Sequence, residues 1–153
     1  MDELSKRRKR LFSGAKFSSA IFYNGDRTKG GSANFRYFSG CEADGCYLIL
    51  KRDGGMLLTS EMNCRQARAL SHYPVKVVGK NAAREIGMEA GRGKCAFSPD
   101  EMNARRYIAL RKKAKLKLVD ESSRIGGARG RKSSGEVKAL AASARVAKKI
   151  LAG

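Results

Sequence analysis

Acidic side chains, prolines and histidines are scarce in this 153-residue chain: 14 Asp+Glu stand against 33 Lys+Arg, with 2 Pro and a single His. With apolar residues at 42% and charged residues at 31%, so few prolines exclude collagen-like and low-complexity classes and leave a globular composition. The length suits one buried core, not a multidomain machine. Cys41, Cys46, Cys64 and Cys95 include no C-x-x-C pair, and no secretory leader precedes them. They read as reduced, mostly buried thiols of a cytoplasmic protein. A zinc site needs four Cys or His ligands, and these scattered thiols with His72 do not space as one. No apolar run approaches the roughly 18 residues that span a bilayer, which excludes a transmembrane segment and gives no membrane partner.

The shortage of acid is uneven along the chain. Residues 17–102 are nearly balanced, with 12 basic and 9 acidic side chains, whereas residues 103–153 carry 15 and 3. A basic end can bind nucleic acid or an anionic surface, or it can be a solvated face whose counter-charge lies on a partner. Composition does not choose among these.

Convergent catalytic groups are missing too. The few acids fall mainly in turns and helix starts, and His72, between Ser71 and Tyr73, has no visible nucleophile or metal partner and reads as structural. Gly30-Gly31 and Gly54-Gly55 lack the spacing of a phosphate-wrapping loop, and Gly91-Arg92-Gly93-Lys94 neither follows a strand nor opens a helix.

What is present is an alternation of short strands and helices. Leu4, Leu11 and Phe12 share one face of an expected amphipathic helix over residues 3–12, with Lys6 to Arg10 as its solvated side. Ser19 to Tyr23 reads as a buried strand stopped by Asn24-Gly25-Asp26, followed by a polar loop from Arg27 to Ser32. The aromatic Asn34-Phe35-Arg36-Tyr37-Phe38-Ser39-Gly40 stretch reads as a strand edge leading into a loop. Cys46 to Leu50 and Met56 to Thr59 flank Asp53-Gly54-Gly55, a hairpin signal. A helix over 61–70 capped by Ser60, a strand over 74–78, a short helix over 81–88 and a strand over 94–97 follow. Ser98-Pro99-Asp100-Glu101 opens an expected helix from Pro99 to about Ala114, and Leu116 to Val119 is the sixth strand. The pattern predicts an α/β fold, a mixed six-stranded sheet with helices on both faces. Residues 1–125 form that unit. Residues 126–135, within the Gly-, Ser- and Arg-rich stretch from Ser122 to Gly135, read as a flexible linker. Residues 136–153 read as a helix with Val137, Leu140, Ala144, Ala147 and Leu151 in a narrow apolar stripe, opened by a capping box at Ser133 and Glu136.

Several of these segments, taken in order, resemble the N-terminal domain of the creatinase, aminopeptidase P and prolidase family. The matching residues are Ala20-Ile21-Phe22-Tyr23, Asn34 through Gly40, the Leu48-Ile49-Leu50 and Leu57-Leu58-Thr59 hairpin, and Glu61 with Gln66-Ala67. Leu118-Val119-Asp120-Glu121-Ser122 with Ile125, then Arg129 through Glu136 and Val137, resemble the family's junction with its second domain. Cys41 departs from the pattern, standing where the family usually has an aromatic.

The resemblance implies a creatinase-like, ribonuclease H-like fold and a parent Xaa-Pro metallopeptidase acting on proline-containing peptides. Its chemistry would sit in a pita-bread domain whose two Asp, one His and two Glu bind two divalent ions (Mn, Co or Zn). These 153 residues are expected to stop within that domain's first helix, to hold no catalytic or metal residues, and to be inactive alone. The domain's implied role is in oligomer contacts, as a homo-oligomer of the dimer type, and in active-site access. Asn34, Arg36, Tyr37 and Gly40 are the substrate-side or interface candidates; the alternative for Tyr37, Phe38 and Gly40 is sheet packing and a turn. Two other functions stay open. One is a protein- or peptide-binding module, as creatinase-like domains are in histone-chaperone proteins. The other is non-specific nucleic-acid binding, although Tyr107 is the only aromatic in the basic end and offers little base stacking.

Overall fold

The computed structural model describes residues 2–25 and 31–153, so most of the loop expected from Arg27 to Ser32 lies outside the described residues. Six strands form one sheet: β1 (Ser19–Asn24), β2 (Cys46–Lys51), β3 (Gly55–Thr59), β4 (Val75–Val77), β5 (Lys94–Phe97) and β6 (Lys117–Asp120), in the order β4-β3-β2-β1-β5-β6. The hairpin is where the sequence puts it. Strand β2 pairs antiparallel with β1 and β3, while the β3/β4, β1/β5 and β5/β6 pairs are parallel.

Because side chains alternate across a strand, each central strand feeds two cores. Ala20 and Phe22 of β1, and Leu48 and Leu50 of β2, face one core; Ile21 and Ile49 face the other. Burial on both faces is why these strands read as continuous apolar runs. The first face is covered by α1 (Glu3–Phe12), α2 (Ala33–Ser39) and α6 (Ser122–Gly130), with Ala67 of α3 (Glu61–Leu70) at its margin. The second is covered by α4 (Ala82–Ala90) and α5 (Ala104–Lys112) through Ile86, Ala90 and Leu110. The last helix, α7 (Ser134–Ala152), buries none of its residues.

Three segments differ from the sequence reading. Residues 34–39 are helix α2, not a strand edge: Ser32 caps it by accepting from the Phe35 N–H at 2.9 Å, and Gly40 ends it at φ 70°. The expected long helix from Pro99 is broken. Pro99–Glu101 make a single 3-10 turn, Met102 is extended (φ −131°, ψ 118°), and Asn103 starts α5 afresh by accepting from the Arg106 N–H at 2.9 Å. The Gly-rich stretch after Ser122 is largely helix α6. Burial of Ile125 and Ala128 against the first core outweighs the helix cost of Gly126 and Gly127, each worth about 1 kcal/mol against alanine.

All four cysteines are free and buried. Burial pushes the Cys95 thiol up to about 11, with the neighbouring Ser19 hydroxyl pulling slightly back, and burial likewise raises Cys46, Tyr37, Tyr47 and Tyr73. Groups raised by folding keep their protons longer in the native state, so their contribution is complete below the unfolded thiol value near 8.5 and is lost as pH climbs toward 11. The urea midpoint is expected to be clearly lower at about pH 10.5 than at about pH 8. An unchanged midpoint would contradict this burial.

Candidate functional site

The N-terminal helix organises the region around the sequence-predicted residues. Asp2 caps α1 by accepting from the Ser5 N–H at 2.6 Å, which holds its carboxyl below the ordinary range. Arg7 and Arg10, three residues apart, then share the helix face turned to α2 and α6. Arg7 donates through Nη1 to the Tyr37 carbonyl at 2.6 Å and through Nη2 to Glu136 Oε1 at 3.1 Å, and its guanidinium lies 4.2 Å from the Tyr37 ring centre. Arg10 donates through Nη1 to the Tyr37 hydroxyl at 3.3 Å and to the Arg131 carbonyl at 3.0 Å, while the Tyr37 hydroxyl donates to the Ala128 carbonyl at 2.8 Å.

Tyr37 is therefore a buried tie between three helices, its phenol pushed up by burial and partly offset by Arg10 and Arg7. Glu136 belongs both to this cluster and to the start of α7. Ser133 and Glu136 form the expected capping box: Glu136 accepts from the Ser133 N–H at 2.7 Å, and Ser133 Oγ accepts from the Glu136 N–H at 3.1 Å. That backbone donor, seconded by Arg7, keeps the Glu136 carboxyl below its ordinary value.

The other three candidates occupy the same short helix or its end. Asn34 is buried and accepts from Arg129 Nη1 at 2.7 Å, and its backbone N–H donates to Glu101 Oε1 at 3.2 Å. Glu101 also accepts from the Ser32 hydroxyl, so a carboxylate from beyond β5 completes the cap of α2. Arg36 is exposed and paired with Glu42 at 3.3 Å. Gly40 needs its left-handed conformation, and Leu4 and His72 close over the place a Cβ would take. Tyr37 and Asn34 thus face inward, and Arg36 and Gly40 face out.

Sequence reading did not assign Arg7, Glu101 or Arg129 to this site, nor the sandwich in which Arg106 lies 3.5 Å from the Tyr23 ring centre and donates to the Tyr47 hydroxyl at 2.7 Å. These pairings join residues 30 to 129 positions apart and left no local signal, apart from the capping box at Glu136.

Immediately after this cluster, α7 presents an uncovered apolar face. Val137 and Leu140 are 54–57% exposed, and Leu151 is 87% exposed. A 19-residue helix with this face bare needs a partner surface. Among the described residues, no three His, Cys, Asp or Glu side chains gather as metal ligands.

The family model for the Creatinase/Prolidase N-terminal domain matches residues 6–130. No curated protein matches the sequence. Among solved structures, the chain is similar to the prolidase from Pyrococcus horikoshii OT3 (20% identity, TM-score 0.71, 98% of this chain and 41% of that one). It is similar too to an Xaa-Pro dipeptidase from Bacillus anthracis (17%, 0.71, 89% and 38%). A separate Creatinase/Prolidase N-terminal domain of an X-Pro dipeptidase from Streptococcus pyogenes is matched at 17% identity and TM-score 0.61, over 82% of this chain and 97% of that one. The chain thus spans about two fifths of the two whole enzymes and nearly all of the separate domain. At these identities the likeness is one of fold.

Proposed function

The chain belongs to the creatinase/prolidase N-terminal domain family, and from that premise we propose that it is the non-catalytic N-terminal domain of a cytoplasmic Xaa-Pro peptidase, a dipeptidase or an aminopeptidase. The observation that carries this reading is the coupling of Tyr37, Arg7 and Glu136 to a helix whose apolar face is bare. Helix α7 would dock on a catalytic domain, and the cluster at its first turn would fix its direction. The two divalent ions implied by the family would be held by that second domain. In this arrangement the accessible Arg36 and Gly40 are the contacts toward substrate or a second subunit, and Asn34 and Tyr37 hold the helix that presents them.

The test is Xaa-Pro hydrolysis by the product of the complete reading frame with added manganese or cobalt. Proline dipeptides or tripeptides are expected to be cleaved by that product and left intact by the 153-residue chain alone. In the complete protein, Arg7→Ala should lower turnover several-fold with metal content unchanged, because α7 loses its anchor. A complete product that binds peptides without cleaving them would replace this reading with a binding module.

A further inference from the structure

A crevice of about 510 Å³ runs between the end of α1 and helix α6, lined by Lys9, Arg10, Ser13, Arg124, Gly127 and Arg131. Four of these side chains are cations, and no carboxylate lines the crevice. Like charges converging on one cleft repel unless something anionic sits among them.

Two of the cations are fixed. Arg10 is held by the Arg131 carbonyl and the Tyr37 hydroxyl, and Arg124 donates to the Ser13 carbonyl at 2.7 Å while its Nε lies 3.5 Å from Glu121. The other two, Lys9 and Arg131, are exposed and make no side-chain hydrogen bond or ion pair among the described residues. Helix C-termini attract cations and account for Lys9 and Arg10 in the last turn of α1. They do not account for Arg124, which sits in the first turn of α6. Gly127, exposed in the lining, leaves open space where a side chain would stand.

We propose that this crevice is a binding site for a small, multiply charged phosphate-type anion. The anchored guanidiniums of Arg10 and Arg124 would supply preorganised donors, and Lys9 and Arg131 would close over the anion. A nucleic-acid strand suits the site less well, because no aromatic ring lines it to stack a base: Tyr37 is buried beneath Arg7 and Arg10.

Pyrophosphate is the probe. At constant ionic strength it is expected to raise the melting temperature of the protein and to bind measurably by calorimetry, where chloride does neither. The double variant Lys9→Ala/Arg131→Ala should weaken binding by about tenfold or more, and because both side chains are exposed and bond to no other described residue the fold should survive, as circular dichroism would verify. Lys112→Ala/Lys113→Ala, which removes the same charge from the end of α5 on the opposite face, should leave affinity unchanged. Equal losses in the two double variants would mean a diffuse polycation effect and overturn the site. So would stabilisation by chloride equal to that by pyrophosphate, or a single-stranded oligonucleotide binding more tightly than pyrophosphate through the same residues.

Discussion

Truncating Phe38 to alanine is expected to cost about 3–5 kcal/mol, a large share of a typical domain's stability. Phe38 is 1% exposed, stacks on Phe22 at 4.8 Å and meets Tyr37 edge-on at 4.9 Å. Its removal opens a cavity between β1 and α2 that backbone on both sides prevents from collapsing, and it discards two aromatic pairings worth about 0.5–1.5 kcal/mol each. Urea unfolding followed by circular dichroism measures the loss. Met62→Ala, at a side chain 87% exposed, should change the stability by less than about 0.5 kcal/mol. A Phe38→Ala protein as stable as Met62→Ala would mean that α2 does not pack as described.

The second large effect sets two opposing forces against each other at Gly87. Helix propensity alone predicts that Gly87→Ala inside α4 stabilises by about 1 kcal/mol. A Cβ there, however, would enter the space of the Ala114 carbonyl oxygen, which is backbone and has little freedom to retreat. The strand entry behind it is pinned, with Lys115 at φ 56° and the Leu116 N–H donating to the Leu110 carbonyl at 3.2 Å. Overpacking against backbone costs about 1–3 kcal/mol, so the steric effect wins and the variant should be less stable. Gly126→Ala in α6 meets nothing within 4 Å and should show the propensity gain by itself. If both variants gained stability, the close approach of α4 to the end of α5 would be refuted.

The sheet was legible in the sequence because its strands are short apolar runs cut by turn residues, and the Asp53-Gly54-Gly55 hairpin carries its own signal. Helix α2 was misread for a physical reason. Phe35, Tyr37 and Phe38 favour strands, and only the Ser32 and Gly40 caps, with burial of the three rings in the first core, tip the segment to helix. Gly126 and Gly127 hid α6 in the same way, since its burial comes from α1 and α2 far away in sequence. The break at Met102 went unseen because a proline at a first helical position is a true start signal, here spent on a single turn. Of the candidate site, motif order singled out Asn34, Arg36, Tyr37 and Gly40, which the fold places on α2 and at its end. Their bonding partners were not, since Arg7, Arg129 and Glu136 reach them only through the completed fold.

The strand order bears on how the chain is made. Synthesis runs from the N-terminus, so β1 gains β2 as a neighbour soon after both leave the ribosome, yet its other edge waits until residues 94–97 arrive. In that interval the nascent chain displays an open strand edge flanked by Ala20, Ile21 and Phe22, a template for pairing with another chain. Pauses in translation between residues 60 and 94 would lengthen this exposure, and holdase chaperones would be most needed there.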